Sequence, residues 1–177
     1  MVWQLVVNIT FLIIGYLLGS VNPGYLFGRL KGMDIRELGT KNAGTSNTYR
    51  ILGIGYAIPT AIYDTLKGVS IMLIALSLGV DPFFSHLSGI MVIVGHIFPF
   101  YLKFRGGQGV AAATGLLLYY LLFYFTTNPS FFLIISYLLA IVAIFYYISR
   151  IGNILGVMVL PVLGYAVWIS YPFSIEN

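Results

Sequence analysis

The sequence predicts an all-α polytopic membrane protein: a bundle of about six transmembrane helices plus one short half-helix. Three observations carry this. Of 177 residues, 59% are hydrophobic and 8% charged, with a mean hydropathy of +0.95; soluble domains carry about a quarter charged residues. The apolar residues fall in runs near the roughly 20 residues a helix needs to cross a bilayer. No polar linker or charge run divides the chain, so residues 1–177 read as a single integral-membrane domain.

The first run, Val2–Gly19, has no basic residue ahead of it, the first being Arg29. It lacks the positive start of a secretion signal and is expected to remain as a helix. Pro23 can open a short helix over Asn22–Lys31, with Gly24, Gly28 and Gly32 giving it a smooth face for close packing. Further spans are predicted at Tyr56–Leu78, Phe83–Leu102, Val110–Thr126, Pro129–Ser149 and Ile154–Tyr171. Cysteine is absent, which excludes a disulfide framework and thiol chemistry. With two histidines, His86 and His96, there is no metal-ligand cluster, and neither a Gly-x-Ser-x-Gly elbow nor a Walker loop occurs.

The charges sort by loop. Arg29, Lys31, Arg36, Lys41 and Arg50 share one loop, Lys103 and Arg105 the next on that side, and Arg150 the third; Lys67 lies in the second span nearer the same face. The opposite loops hold Asp81 and Glu176. The positive-inside rule makes the basic face cytoplasmic and puts both termini outside the cytoplasmic membrane. Trp3, Trp168 and Tyr171 then join the outer aromatic belt.

Three stretches on the basic face carry more than orientation. Met33–Gly53 packs Thr40, Asn42, Thr45, Ser46, Asn47 and Thr48 between two arginines. Composition supports equally a solvated Asn/Ser/Thr loop and a segment that folds back to present donors to an anion. In "YDTLKG", Asp64 and Lys67 are three apart and can pair on one helix face. That pair is structural under the interface, or an acid orienting a lysine that lines a site. In "GHIFPFYLKFRGGQGVAAATG", a basic residue, a glycine turn and a helix start follow one another. Successive glycines can form an anion nest, the helix from Val110 adds its dipole, and Arg105 supplies a fork for phosphate. A histidine such as His96 at a span's end is more often hydrogen-bonded structure than base. The expected ligand is anionic, phosphorylated and reached from the cytoplasm, with lipid entering from the bilayer.

The motifs "GSVNPGYLFGRL", "DIRELGTKNAGTSNTYRILG", "DTLKG" and "GHIFPFYLKFRGGQGVA" resemble, in this order, those of the bacterial acyl-phosphate:glycerol-3-phosphate acyltransferases. The resemblance runs from about Gly19 to Gly115. It implies a bundle of seven helices in typical members. It implies transfer of a fatty acyl group from acyl phosphate to the first hydroxyl of glycerol 3-phosphate, giving lysophosphatidate and phosphate in phospholipid synthesis. No cofactor is implied, the partners are the two substrates and membrane lipids, and no nucleic acid is involved. On this resemblance Thr40 stands at the family's catalytic-site serine, Arg50 at its phosphate-binding arginine, and His96 in the Gly-His that opens the glycine loop. These three are the candidate catalytic residues. Asn42, Gly44, Asn47, Asp64, Lys67, Arg105, Gly106, Gly107, Gln108 and Gly109 are the candidate substrate- and phosphate-binding residues. The glycine-loop amides would stabilise the transition state, Arg50 and Arg105 would neutralise the leaving phosphate, and Thr40 would hydrogen-bond substrate.

Two departures stand out. Gln108 occupies the place of a lysine that typical members use to bind phosphate, and the family's late His-x-x-Asn-Ile motif is missing. The predicted topology has one span fewer than the family. The sequence alone therefore also supports a catalytically altered relative that binds or transports a phosphorylated lipid or small anion.

Overall fold

The computed structural model describes residues 2–127 and the isolated positions 136, 137, 139, 140, 143 and 164. The predicted fifth and sixth spans fall, but for those positions, outside the described residues. In chain order come α1 (Val2–Ser20), α2 (Pro23–Leu30), a 3-10 turn (Ile35–Glu37), α3 (Thr45–Leu52), α4 (Ile54–Ser77), α5 (Pro82–Ile97), a second 3-10 turn (Phe100–Leu102) and α6 (Val110–Thr127). There is no strand among the described residues. Val2–Ser20, Ile54–Ser77 and Pro82–Leu102 are long and apolar enough to cross a membrane, and Val110–Tyr124 is a shorter apolar helix. These match the first four predicted spans.

The chain divides into two compact units, Met1–Gly115 and Leu116–Asn177. In the second, Tyr119 stacks on Phe123 and Tyr120 on Tyr124 along α6. The first unit holds the chemistry. Its α1 and α5 meet backbone to backbone. A Cβ added at Gly15 or Gly19 would strike the backbone of Ser88 or Val92, and one at Gly95 would strike that of Tyr16. Hydrophobic burial gives little drive between helices in lipid, so close van der Waals approach through small residues does the joining. Polar side chains tie the far end: Gln4 Nε2 donates to Gly79 O (3.2 Å), and Asn8 Oδ1 accepts from Asp81 N (3.2 Å).

The other end of α1 stops because Pro23 has no N–H and Asn22 is extended. Its last carbonyls are met by side chains. Tyr63 Oη donates to Leu18 O (3.3 Å), Lys67 Nζ to Gly19 O (3.0 Å) and Val21 O (3.2 Å), and Tyr101 Oη to Ser20 O (3.0 Å). Asn22 Nδ2 also donates to Ser20 O, at 2.7 Å.

Three expectations need correction. Gly24 and Gly28 do pack closely, against Ala43, Ile35 and Met33, but Gly32 faces open space. At φ +76° it ends α2 instead, with Gly32 N bonded to Arg29 O and Met33 N to Gly28 O. The third span is helical only to Ile97; Pro99 cannot continue the ladder, and the chain turns through Lys103 and Phe104, both at positive φ. The polar stretch Met33–Gly53 is not a loop throughout, since its second half is α3. Thr, Ser and Asn are weak helix formers, so packing makes this helix: Asn47 and Thr48 are fully buried.

Gly19→Ala should destabilise the purified protein by about 1–3 kcal/mol, as overpacking does, and lower its thermal midpoint in detergent. Gly55→Ala, where a Cβ meets nothing within 4 Å, should leave the midpoint unchanged or raise it.

Candidate active site

The polar stretches come together at one end of the first unit. Arg36 is the clamp. It grips Asp34 with Nε (2.9 Å) and Nη2 (2.6 Å), lies over the Tyr25 ring at 4.7 Å, and donates from Nη1 to Leu102 O (2.9 Å) and Arg105 O (3.2 Å). Ala43 N donates to Gly106 O at 3.1 Å, joining the two loops again. Asn47 locks the first loop from inside: Oδ1 accepts from Thr40 N (2.8 Å), and Nδ2 donates to Ile35 O (2.7 Å) and Asn42 O (2.8 Å). Asn42 in turn bonds Thr40 Oγ1 (3.0 Å) and Gly44 N (2.9 Å).

A cleft of about 360 Å³ opens between these pieces. Asn42, Gly44, Thr45, Ser46, Asp64, His96, Gln108, Gly109, Val110 and Ala111 line it. Two helices therefore begin on one space, α3 at Gly44–Ser46 and α6 at Gly109–Ala111. Ladder bonding starts only at Thr48 N to Gly44 O (3.0 Å) and Ala113 N to Gly109 O (2.9 Å). The N–H groups before those points have no partner within their own helix, and each dipole turns its positive end to the cleft.

The glycine turn does a different job from the expected nest. Gly106 N donates to Ile97 O and Gly107 N to His96 O, both at 3.0 Å, so these amides close the end of α5 rather than face an anion. The last carbonyls of α5 lose the donors of a further helical turn, because the chain leaves the helix at Phe98 and Pro99. Side chains are excluded there for contact reasons: a Cβ at Gly107 would strike His96 Nε2, and one at Gly106 would strike His96 O. Gly109, at φ +77°, then turns the chain into α6.

Beneath the cleft lies a buried cluster. Lys67 Nζ sits 2.9 Å from Asp64 Oδ1 and 2.9 Å from His96 Nδ1, and His96 Nδ1 is 3.3 Å from Asp64 Oδ1. Asp64 is 0% exposed, Lys67 3% and His96 2%. Spacing predicts the Asp64–Lys67 pair, but the roles are exchanged. Asp64 lines the cleft, while Lys67 turns to the end of α1. Asp64 Oδ2 has no hydrogen-bond partner, nor does Thr45 Oγ1, and both residues line the cleft. An unpaired buried polar group costs about 1–3 kcal/mol, so such atoms ask for a ligand.

Other candidates stand apart from the lining. Thr40 is exposed at the edge, held through Asn42. Arg50 is exposed on α3, one turn after Ser46. Arg105 is exposed, 3.7 Å from Glu37, and is not among the residues that line the cleft. From sequence, Thr45 and Ser46 belong to a polar stretch that can present donors and Val110 to a helix start; Ala111, and the fact that α3 also begins on the cleft, were not foreseen, though the Gly-Thr-Ser pattern signals the start of α3 once read that way.

Lys67→Gln should destabilise the protein by about 3–5 kcal/mol, the range for stripping one partner from a buried pair, and Asp64→Asn in the same chain should recover much of it on thermal unfolding. The Arg36 guanidinium bonded to Asp34 holds that carboxyl below the usual aspartate range. The stability from this clamp is present above about pH 4 and is lost as pH falls through the lowered folded value. Asp34→Asn should therefore lower the thermal midpoint at pH 7, and its difference from the wild type should vanish in strong acid.

A family model described as glycerol-3-phosphate acyltransferase matches residues 9–175. A glycerol-3-phosphate acyltransferase of Rubrobacter xylanophilus is 43% identical over 108 residues, 61% of this chain and 54% of that one. One of Shouchella clausii is 44% identical over 119 residues, 66% of this chain and 57% of that one. The chain spans about half the length of the curated relatives it matches. Among solved structures, PlsY (YgiH), an integral membrane glycerol 3-phosphate acyltransferase in its glycerol 3-phosphate form, aligns with a TM-score of 0.60 and 29% identity over 92% of this chain and 86% of that one. Its lysophosphatidic acid form gives 0.59 and 29% over 96% and 90%. With its apolar helices this is an all-α, multi-pass membrane protein. The chain belongs to the glycerol-3-phosphate acyltransferase family.

Proposed function

We propose that the protein transfers a fatty acyl group from acyl phosphate to the first hydroxyl of glycerol 3-phosphate, yielding lysophosphatidate and phosphate for phospholipid synthesis. The observation that carries this is the pair of helix starts on one cleft. Each offers unpaired N–H groups and a positive dipole end, and together they suit phosphate. A solved relative in glycerol 3-phosphate and lysophosphatidic acid forms supports the same substrate and product here.

In this reaction the amides of Thr45, Ser46, Val110 and Ala111 bind phosphate oxygens and the charge that develops on the attacked carbonyl. Arg50, one turn beyond Ser46, neutralises phosphate from the rim, and Gln108 contributes an amide where typical members place a cation. Thr40 and Asn42 meet substrate at the edge of the cleft. Asn47, Gly106, Gly107 and Gly109 shape the cleft, His96 and Asp64 form its floor, Lys67 holds that floor to α1, and Arg105 draws anions to the surface. The reaction as proposed uses no cofactor. The distribution of cations supports a cytoplasmic-membrane location with the cleft facing the cytoplasm and both termini outside. Residues 1–177 act as one domain, with acyl phosphate and membrane lipids as partners and no nucleic acid.

Detergent-purified protein given acyl phosphate and glycerol 3-phosphate should release phosphate with stoichiometric lysophosphatidate. Absence of turnover where a typical family enzyme is active would overturn the proposal. Gln108→Lys should raise kcat/KM by roughly tenfold or more, the worth of one charge-assisted hydrogen bond.

A further inference from the structure

The cleft has two chemically opposed parts. The starts of α3 and α6 donate hydrogen bonds and favour negative charge. Asp64 lies on the same lining and does the reverse, because an ionised carboxylate accepts and repels phosphate. Its Oδ1 forms an ion pair with Lys67 (2.9 Å) and lies 3.3 Å from His96 Nδ1. Its Oδ2 is buried without a partner. Lys67 bonds Gly19 O and Val21 O as well, so the carboxylate is held through its partner to the end of α1 and cannot swing away cheaply. A group that suits such an oxygen is a neutral donor attached to an anion.

We propose that Asp64 reads the polyol end of the substrate: Oδ2 accepts a hydrogen bond from a hydroxyl of a bound phosphomonoester whose phosphate lies at the two helix starts. This deepens the proposed acyl transfer and rests on it. It gives the substrate a direction, phosphate toward Thr45, Ser46, Val110 and Ala111, hydroxyls toward Asp64. It also makes Asp64 a specificity-determining residue as well as half of an ion pair. A cleft of about 360 Å³ is at the small end of ligand sites, which fits a three-carbon phosphomonoester.

The test separates this from a purely structural ion pair. Binding of glycerol 3-phosphate, propyl phosphate and inorganic phosphate is measured by calorimetry on detergent-purified protein. The unchanged protein should bind glycerol 3-phosphate about tenfold or more tightly than propyl phosphate, which has the same carbon count and no hydroxyl; a site that hydrogen-bonds a hydroxyl discriminates strongly against its absence. The double variant Asp64→Asn, Lys67→Gln removes both charges and so avoids an unpaired buried one. It should bind inorganic phosphate within about threefold of the unchanged protein and lose most of the preference for glycerol 3-phosphate, since neutral hydrogen bonds are about half as strong. A folded double variant that keeps the full preference overturns the proposal. So does unchanged protein that binds propyl phosphate as well as glycerol 3-phosphate, an outcome that needs no variant and leaves the phosphate site standing. Unchanged protein that binds none of the three overturns the acyl-transfer proposal itself, and this inference with it.

Discussion

The structure depends on how the end of α1 is satisfied. Four successive carbonyls, Leu18 to Val21, come due where Pro23 and the extended Asn22 leave the helix without its next donors. In a membrane interior an unmet carbonyl has no water to turn to. Lys67 answers two of them from α4, and a cation suits the negative end of the α1 dipole. A buried lysine needs a counter-charge, and Asp64 supplies it one helical turn earlier. His96 on α5 completes the group. One contact set thus ties α1, α4 and α5 together and forms the floor of the cleft. The cleft is built on the lock that closes the bundle, so Asp64 both pairs with Lys67 and lines the cleft.

Above that floor, the walls are backbone. Gly106 and Gly107 let their chain lie directly on the end of α5, each amide meeting a carbonyl and Gly107 leaving room for the His96 ring. That placement fixes where α6 begins. The second wall, α3, begins where it does because Asn42 caps Gly44 N and Asn47 gathers Thr40, Asn42 and Ile35 around itself. Arg36 then binds one loop to the other through Leu102 O and Arg105 O. Each helix start carries about half a positive charge, so the cleft holds a field for anions even with Gln108 in place of a lysine.

Much of this was legible in the sequence. Composition and run length placed the four described spans within a few residues, because a bilayer dictates helix length. The i, i+3 spacing marks the Asp64–Lys67 pair, and the order of basic residue, glycines and apolar run marks the helix start at Val110 that lines the cleft. What sequence could not show is long-range. Nothing local says that Lys67 caps a helix 48 positions earlier. Nothing local chooses Arg36 rather than Arg105 as the half-buried clamp, and only the path of α5 reveals that two glycine amides are already engaged. Thr45 and Ser46 read as loop because their propensities say so; burial of Asn47 and Thr48 overrides them.

The location of the cleft follows from the same constraint that shapes the bundle. Along a membrane helix every N–H is used, so backbone donors for a phosphate exist only where a helix starts. An anion site in a membrane bundle is thereby pushed to helix ends, at the level where apolar spans meet water. Gathering two starts in one place requires two close turns, and both depend on residues that cost little space: Gly44 and Ala43 on one side, Gly106, Gly107 and Gly109 on the other. The small residues set the geometry, the helix starts supply the positive field, and Asp64 is the one acidic residue on the cleft lining.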